Sequence, residues 1–137
     1  MDHTVEIWSV SERTLLARHT GHRREISAIA FFPDGRRIVS SSGLVRMQSP
    51  EAGDVHLWDP ATGQLCLDFP TERHEICSGL AISPDGRRVF GATNDTRVVE
   101  TDPLMMLNPQ GELLPPKLPP RPIAGRILCW EAPELTP

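Results

Sequence analysis

His19 and His22, three residues apart in "HTGH", are the side chains of this sequence best suited to metal binding. An H-x-x-H spacing can bring two imidazoles together on a helix, but this stretch contains a glycine and lies in a connection between apparent strands. No third ligand is evident, and Cys66, Cys77 and Cys129 lack a C-x-x-C spacing. We therefore expect no metal and no other cofactor, and the odd number of cysteines favours a reducing, cytoplasmic location.

The acidic and hydroxyl side chains do not form a recognisable catalytic set. Asp54, Asp59, Glu72 and Glu75 are scattered in or near turns. No two of them have the defined separation that general acid–base catalysis requires. The "SSSG" stretch (40–43) lacks the G-x-S-x-G pattern of a nucleophile elbow. The sequence therefore indicates a protein that is not an enzyme.

Composition argues against two classes of partner. The chain has 137 residues with a formal net charge of −4, so no overall positive field draws it to nucleic acid or to an anionic membrane. No apolar run approaches the ~18 residues of a membrane span. The first residues, "MDHTVEIWSV", do not resemble a secretory signal. Protein partners, or self-association, remain as the expected interactions.

Two patterns occur twice, at a period of about 50 residues. "TVEIWSVSERTLL" (4–16) and "DVHLWDPATGQLC" (54–66) each read as a strand ending in Trp, a polar turn and a second strand. "EISAIAFFPDGRRIVSSSG" (25–43) matches "ICSGLAISPDGRRVFGATN" (76–94), and the shared "PDGRR" is a turn between apolar strands. Tandem units of four short strands predict β-propeller blades. The arginine pairs after the two turns are expected on one solvated rim.

The chain resembles the WD-repeat propeller family through Gly21-His22 and Trp58-Asp59, in that order. The resemblance implies an all-β fold with about two to three four-stranded antiparallel blades in an incomplete ring. It also implies a structural hydrogen-bond network that joins His22, a serine of the second strand and Trp58. The residues assigned to such networks in the repeats are Asp2, Trp8, His22, Ser40, Ser41, Trp58, Asp59, Asp95 and Trp130.

Three departures from the family pattern affect this assignment. Ala52 stands where the family often has Asp, so the network around His22 is expected to lack a fourth member. An insertion occupies residues 44–53. In the later repeat the third strand is either 97–102, with Asp95 before it, or 126–131, after a long insertion. We favour 126–131 because it gives every tryptophan the same structural position.

The predicted organisation has five segments. They are a partial blade (1–20), a complete repeat with an insertion (21–70), a degenerate repeat (71–102), a proline-rich loop or linker (103–124) and a final Trp-containing strand and tail (125–137). Because propellers close with about 4–8 blades, we expect a fragment, a truncated reading frame or a subunit that closes by self-association.

The resemblance implies a non-catalytic scaffold for protein–protein interaction. The alternative is the propeller portion of a larger multidomain enzyme, for example kinase- or protease-associated, where it acts as a sensor or docking domain. Long loops on a rigid scaffold often carry recognition, and "PPKLPPRP" (115–122) contains a P-x-x-P-x-R pattern. The candidate partner-binding residues are Arg23, Arg24, Arg46, Met47, Gln48, Pro116, Pro119 and Arg121.

Overall fold

The computed structural model describes residues 3–43, 52–72, 75–95 and 125–134. These residues form β-strands joined by turns, and none of them lies in a helix. The strands are β1 (Val5–Ser9), β2 (Thr14–His19), β3 (Ile26–Phe31), β4 (Ile38–Ser42), β5 (Val55–Trp58), β6 (Leu65–Phe69), β7 (Glu75–Ile82), β8 (Arg88–Asp95) and β9 (Arg126–Glu131). Within the described part of the chain, no helix is long and apolar enough to cross a membrane.

The strands form three antiparallel sheets in chain order. The first sheet is β1-β2, the second is β3-β4-β5-β6 and the third is β7-β8-β9. Strand β9 pairs with β8 so that Trp130 lies opposite Val89, just as Trp58 lies opposite Ile38 in the second sheet. Residues 126–131 thus occupy the third-strand position, and the alternative at 97–102 lies outside the described residues.

The two "PDGRR" turns have the same backbone conformation. Gly35 and Gly86 each have a φ of 67°, which a residue with a Cβ rarely adopts. Asp34 and Asp85 each accept a hydrogen bond from the amide two residues further on, at 2.9 and 3.0 Å. The sequence repeat therefore encodes a repeated turn, which sets the register of β3 with β4 and of β7 with β8.

Arg37 corrects the expectation that the arginines after these turns lie on a solvated rim. Its side chain is buried and stacks over the ring of Phe32, with the guanidinium carbon 4.1 Å from the ring centroid. It donates to the carbonyl of Pro133 at 2.9 Å and to Asp34 at 3.0 Å. The same turn therefore exposes Arg36 but uses Arg37 to join the second sheet to the third.

The second sheet lies between the other two and is buried on both faces at its centre. Every residue of β4 and β5 is buried. Ile38 and Trp58 pack toward Val5 of the first sheet. The opposite face contributes to the larger cluster, which consists of Phe32, Val39, Val55, Leu57, Phe69, Cys77 and Val89. This packing fixes the position of the polar side chains between the first and second sheets.

Candidate functional site between the first and second sheets

A cluster of buried polar side chains lies where the first sheet packs on the second. His19 ends β2, His22 follows in the connection to β3, Ser40 lies in β4, and His56 precedes Trp58 by two residues in β5. Successive residues of a strand alternate faces, so His56 and Trp58 share the face toward the first sheet. All five side chains are buried.

Ser40 is the centre of the hydrogen bonds in this cluster. The Trp58 indole Nε1 donates to Ser40 Oγ at 3.0 Å, and His22 Nε2 lies 2.6 Å from the same oxygen. Of the two serines proposed for this role, Ser40 is therefore the one that contacts His22 and Trp58. Ser41 instead donates to the carbonyl of Cys77 at 3.0 Å and joins the second sheet to the third.

His22 Nδ1 is buried and has no hydrogen-bond partner among the described residues. Ala52 cannot accept a bond at the position where the family often has Asp. Burial is the largest cause that lowers the pKa of His22, the positive charges that His56 and His19 would carry add to it and Asp54 opposes it, and together they place this pKa at about 4. His22 is therefore a neutral imidazole with one unpaired nitrogen.

His19 and His56 share a hydrogen bond of 3.0 Å between His19 Nε2 and His56 Nδ1. His19 Nδ1 lies 3.1 Å from the carbonyl oxygen of Gly63. Because a carbonyl only accepts, His19 Nδ1 carries a proton, and in the neutral ring Nε2 is then the acceptor. His56 therefore donates from Nδ1. Burial lowers the pKa of His56, whereas Asp68 and Asp54 raise it.

The imidazole rings also stack within the cluster. The His19 ring lies parallel to the Trp58 indole with centroids 5.1 Å apart, and the His22 ring lies parallel to His56 at 4.2 Å. One nitrogen from each histidine lies within 4.8 Å of one from each of the others. The fold thus supplies a third imidazole, His56, that sequence reasoning missed. Its only sequence signal is its position two residues before Trp58, on the same face of β5.

Trp8 differs from its predicted role in a buried network. It pairs with Leu15 as Trp58 pairs with Leu65, so its strand position is equivalent. However, 54% of Trp8 is exposed, and its Nε1 donates to Glu6 at 3.0 Å. No strand lies on the free side of β1 among the described residues, so nothing there provides a serine or covers the indole.

Trp130 occupies the position equivalent to Trp58 but has a different partner. Its Nε1 donates to the carbonyl of Pro70 at 3.3 Å. In the second sheet Ser40 pairs with His56, and at the equivalent position of the third sheet Gly91 pairs with Leu128. Gly91 therefore offers no hydroxyl to the Trp130 indole. A Cβ at Gly91 would come within 2.7 Å of the Trp130 ring. The third sheet therefore replaces the serine-centred network with close packing.

The remaining predicted residues are not brought into this cluster. Asp59 lies in the turn after β5 and accepts from the amide of Ala61 at 2.7 Å. Arg23 is exposed, and its amide donates to Asp54 at 3.1 Å, while Arg24 is half-buried and already interacts within the molecule. Outside the described residues or side chains lie Asp2, Arg46, Met47, Gln48, Asp95, Pro116, Pro119 and Arg121.

Comparison with known proteins agrees with this geometry. Residues 13–59 match the family model for the WD domain, G-beta repeat. Ribosome assembly protein 4 of Saccharomyces cerevisiae is 35% identical over 69 residues, 50% of this chain. Transcription initiation factor TFIID subunit 5 of Caenorhabditis elegans is 31% identical over 85 residues, 62% of this chain. The matched region covers 12% of each of these curated relatives.

Among solved structures, the C-terminal WD40 domain of Sif2 has the same fold. It aligns with a TM-score of 0.54 at 21% identity, over 68% of this chain and 26% of that one. Residues 13–59 therefore match a WD repeat, and the three sheets have the fold of β-propeller blades in a ring that is open in the described part of the structure.

Proposed function

We propose that this chain is a non-catalytic scaffold for protein–protein interaction in the cytoplasm. The WD-repeat match and the naming of the matched relatives as an assembly protein and a transcription-factor subunit support this class of function. One structural observation supports it most directly, which is an uncovered apolar surface on β3. This surface consists of Ile29 and Phe31, which are 47% and 59% exposed.

The pairing of β3 with β4 locates this surface. Phe31 lies opposite Ile38 and Ile29 lies opposite Ser40, and directly paired residues share a face of the sheet. Both side chains therefore face the first sheet. Strands β1 and β2 cover Ile38 and Trp58, but they leave Ile29 and Phe31 exposed. In the second sheet, β5 and β6 are the equivalents of β1 and β2, and two further strands, β3 and β4, precede them.

The occupant that fits this surface is a pair of apolar β-strands added to the free edge of β1. Such a pair would make the first sheet four-stranded and bury Ile29 and Phe31. Strand addition to an exposed edge is a recurring mode of protein recognition. The strands could come from another protein or from a longer form of this polypeptide, and the experiment below distinguishes these sources.

Site-specific photo-crosslinking in cells tests this proposal. A photoreactive phenylalanine analogue replaces Phe31, and the matched control carries it at Leu16, which is 56% exposed on β2. We expect a discrete protein adduct from position 31 and none from position 16. Equal labelling at both positions, or no adduct at position 31, would overturn the assignment of this surface.

The alternative function is the propeller portion of a larger multidomain enzyme, where it acts as a sensor or docking domain. The observation that favours it is that the matched region covers only 12% of each curated relative. In that case the position-31 crosslink joins two parts of one long polypeptide, and mass spectrometry of the adduct identifies that polypeptide and any catalytic segment it contains. A crosslink to a separate polypeptide instead supports the scaffold.

A further inference from the structure

We propose that His19, His22 and His56 form a zinc-binding site between the first and second sheets. One nitrogen from each ring lies within 4.8 Å of one from each of the others, and all three side chains are buried. Three histidines are a ligand set that zinc uses when its fourth position stays open to water or to another ligand. The residues come from two sheets and the connection between them, so only the fold brings them together.

Two of the rings are already held as metal ligands usually are. His19 Nδ1 donates to the carbonyl of Gly63 at 3.1 Å, which leaves Nε2 as the basic nitrogen. His22 Nε2 is bound to Ser40 at 2.6 Å, which leaves Nδ1. A ligating histidine typically uses one nitrogen for the metal and fixes its ring through an outer partner on the other.

The second observation that points to a ligand is His22 Nδ1 itself. This nitrogen is buried and has no partner among the described residues. A buried polar atom without a hydrogen bond is costly, and native structures rarely keep one without a reason. Coordination to a cation would satisfy this nitrogen when it is deprotonated, which is the form a metal requires.

Binding requires one local movement, and His56 is the ring that can make it. Zinc–nitrogen bonds of about 2.0–2.1 Å place tetrahedral ligand atoms roughly 3.4 Å apart. The His22 and His56 rings are nearly parallel, at 12°, so their in-plane lone pairs do not converge in the described arrangement. His56 would turn about its Cβ–Cγ bond, which gives up its hydrogen bond to His19, replaced by zinc, and its stack on the His22 ring, and Asp68 lies 3.9 Å away on its other side.

His56 can become a ligand by moving its proton from one ring nitrogen to the other. His56 now donates from Nδ1, and this nitrogen becomes the ligand when the proton moves to Nε2. Asp68 Oδ1 lies 3.9 Å from His56 Nε2 and would accept from it after the turn. The imidazoles stay neutral, so no proton is lost. The carboxylates of Asp68 and Asp54, both of which act electrostatically on His56, would partly offset the charge of the ion.

Gly21 provides the space that the rings need. A Cβ at this position would lie 3.1 Å from His19 Nε2 and 3.3 Å from His56 Cε1. These are tighter contacts than a side chain normally makes, so a larger residue would restrict both rings. Glycine before His22 therefore leaves room beside His19 Nε2 and the edge of the His56 ring.

Cobalt titration of the whole chain tests the site, because tetrahedral Co²⁺ has visible absorption bands and takes zinc positions. Cys66 and Cys129 are exposed thiols, so the background carries Cys66→Ser and Cys129→Ser, and the affinity tag is removed. We expect one Co²⁺ per chain, displaced by one Zn²⁺. Zn²⁺ should also raise the melting temperature of this protein.

The residues at equivalent positions in the other sheets indicate which side chains can replace two of the histidines without disturbing the fold. Phe69 occupies in β6 the position of His19 in β2, and it packs against Trp130 as His19 packs against Trp58. Leu128 occupies in β9 the position of His56 in β5. His19→Phe and His56→Leu should therefore fold, as circular dichroism would check, yet lose the cobalt bands and the zinc-dependent rise in melting temperature.

Asp68→Asn provides a test that does not alter a ligand. Asp68 is exposed, so the variant should fold normally, and we expect about a tenfold loss of zinc affinity with unchanged stoichiometry. The proposal is overturned if the background protein shows no tetrahedral cobalt bands. It is also overturned if the bands survive in both folded histidine variants. Neither result depends on the protein-binding function proposed above.

Discussion

Replacing Ser40 with Ala should destabilise the chain far more than the same change at the neighbouring Ser41. Both hydroxyls are fully buried, so burial does not distinguish them. Ser40 Oγ accepts the Trp58 indole proton at 3.0 Å and contacts His22 Nε2 at 2.6 Å. Its removal leaves a buried indole N–H without an acceptor, which costs about 1–3 kcal/mol, and removes a second bond worth about 0.5–1.5 kcal/mol. We therefore expect a loss of about 1.5–4.5 kcal/mol.

Ser41→Ala is the matched control because it leaves no protein group without a partner. Ser41 donates to the carbonyl of Cys77 at 3.0 Å, but Ser27 donates to the same oxygen at 2.6 Å. The carbonyl therefore keeps a donor, and the expected loss is about 0.5–1.5 kcal/mol. Urea unfolding followed by tryptophan fluorescence gives both values, provided that the slope with denaturant is the same in the two variants.

A double-mutant cycle with Trp58→Phe identifies the cause. Phenylalanine keeps an aromatic ring but has no N–H, so Ser40→Ala should cost at least about 1 kcal/mol less in that background. The reasoning would be refuted if Ser40→Ala and Ser41→Ala cost the same within about 0.5 kcal/mol. Additive effects of Ser40→Ala and Trp58→Phe would refute it equally, because the indole–serine bond would then contribute nothing measurable.

Three further predictions concern the same two inter-sheet surfaces. Trp58→Ala should cost about 3–5 kcal/mol in urea unfolding because it removes a fully buried aromatic side chain, and a loss below about 1 kcal/mol would contradict this packing. Gly91→Ala should cost about 1–3 kcal/mol because its Cβ would lie 2.7 Å from the Trp130 ring. Gly79→Ala is the control and should change stability little, because the nearest atom to its Cβ would be 3.6 Å away; equal effects of the two changes would contradict the close approach at Gly91. In metal-free protein, the free energy of unfolding should fall as pH decreases from about 6.5 toward 4, because the unfolded chain binds a proton at His22 that the folded chain, with its lowered pKa, excludes. His22 contributes at most about 1.4 kcal/mol per pH unit to this fall. A His22→Leu variant should lose this part of the pH dependence, and an unchanged profile would contradict the prediction.

The repeated patterns predict the blades because they encode local structure. The "PDGRR" turns need a positive φ at glycine and an aspartate that accepts from the backbone, and both requirements can be read from neighbouring residues. The Trp-containing hairpins follow from alternation and turn residues in the same way. The family resemblance then adds the contact of His22 with Trp58, which is 36 residues away, through a single serine of the second strand.

The histidine cluster could not be predicted in the same way, because it depends on the packing of separate sheets. His19 and His22 are close in sequence, but the third imidazole comes from β5, and its position two residues before Trp58 does not by itself identify it as their partner. The exposure of Trp8 has a similar origin. Its hairpin pattern resembles that of Trp58, but exposure depends on which strands lie beside β1, and a pattern within one hairpin does not contain that information.

The second and third sheets show two ways of burying the same tryptophan position. In the second sheet, Trp58 is fully buried and a serine accepts its N–H. This arrangement also buries the polar side chains around that serine, and each of them then needs a partner inside the protein. In the third sheet, Gly91 removes the serine and lets Trp130 approach the backbone of β8, while its N–H reaches the carbonyl of Pro70. Gly91→Ser would not restore the serine–tryptophan hydrogen bond of the second sheet, because the Trp130 ring already occupies the space of a Cβ. The polar network is therefore a property of each blade's packing, and among the described sheets the three imidazoles lie together where that network is kept.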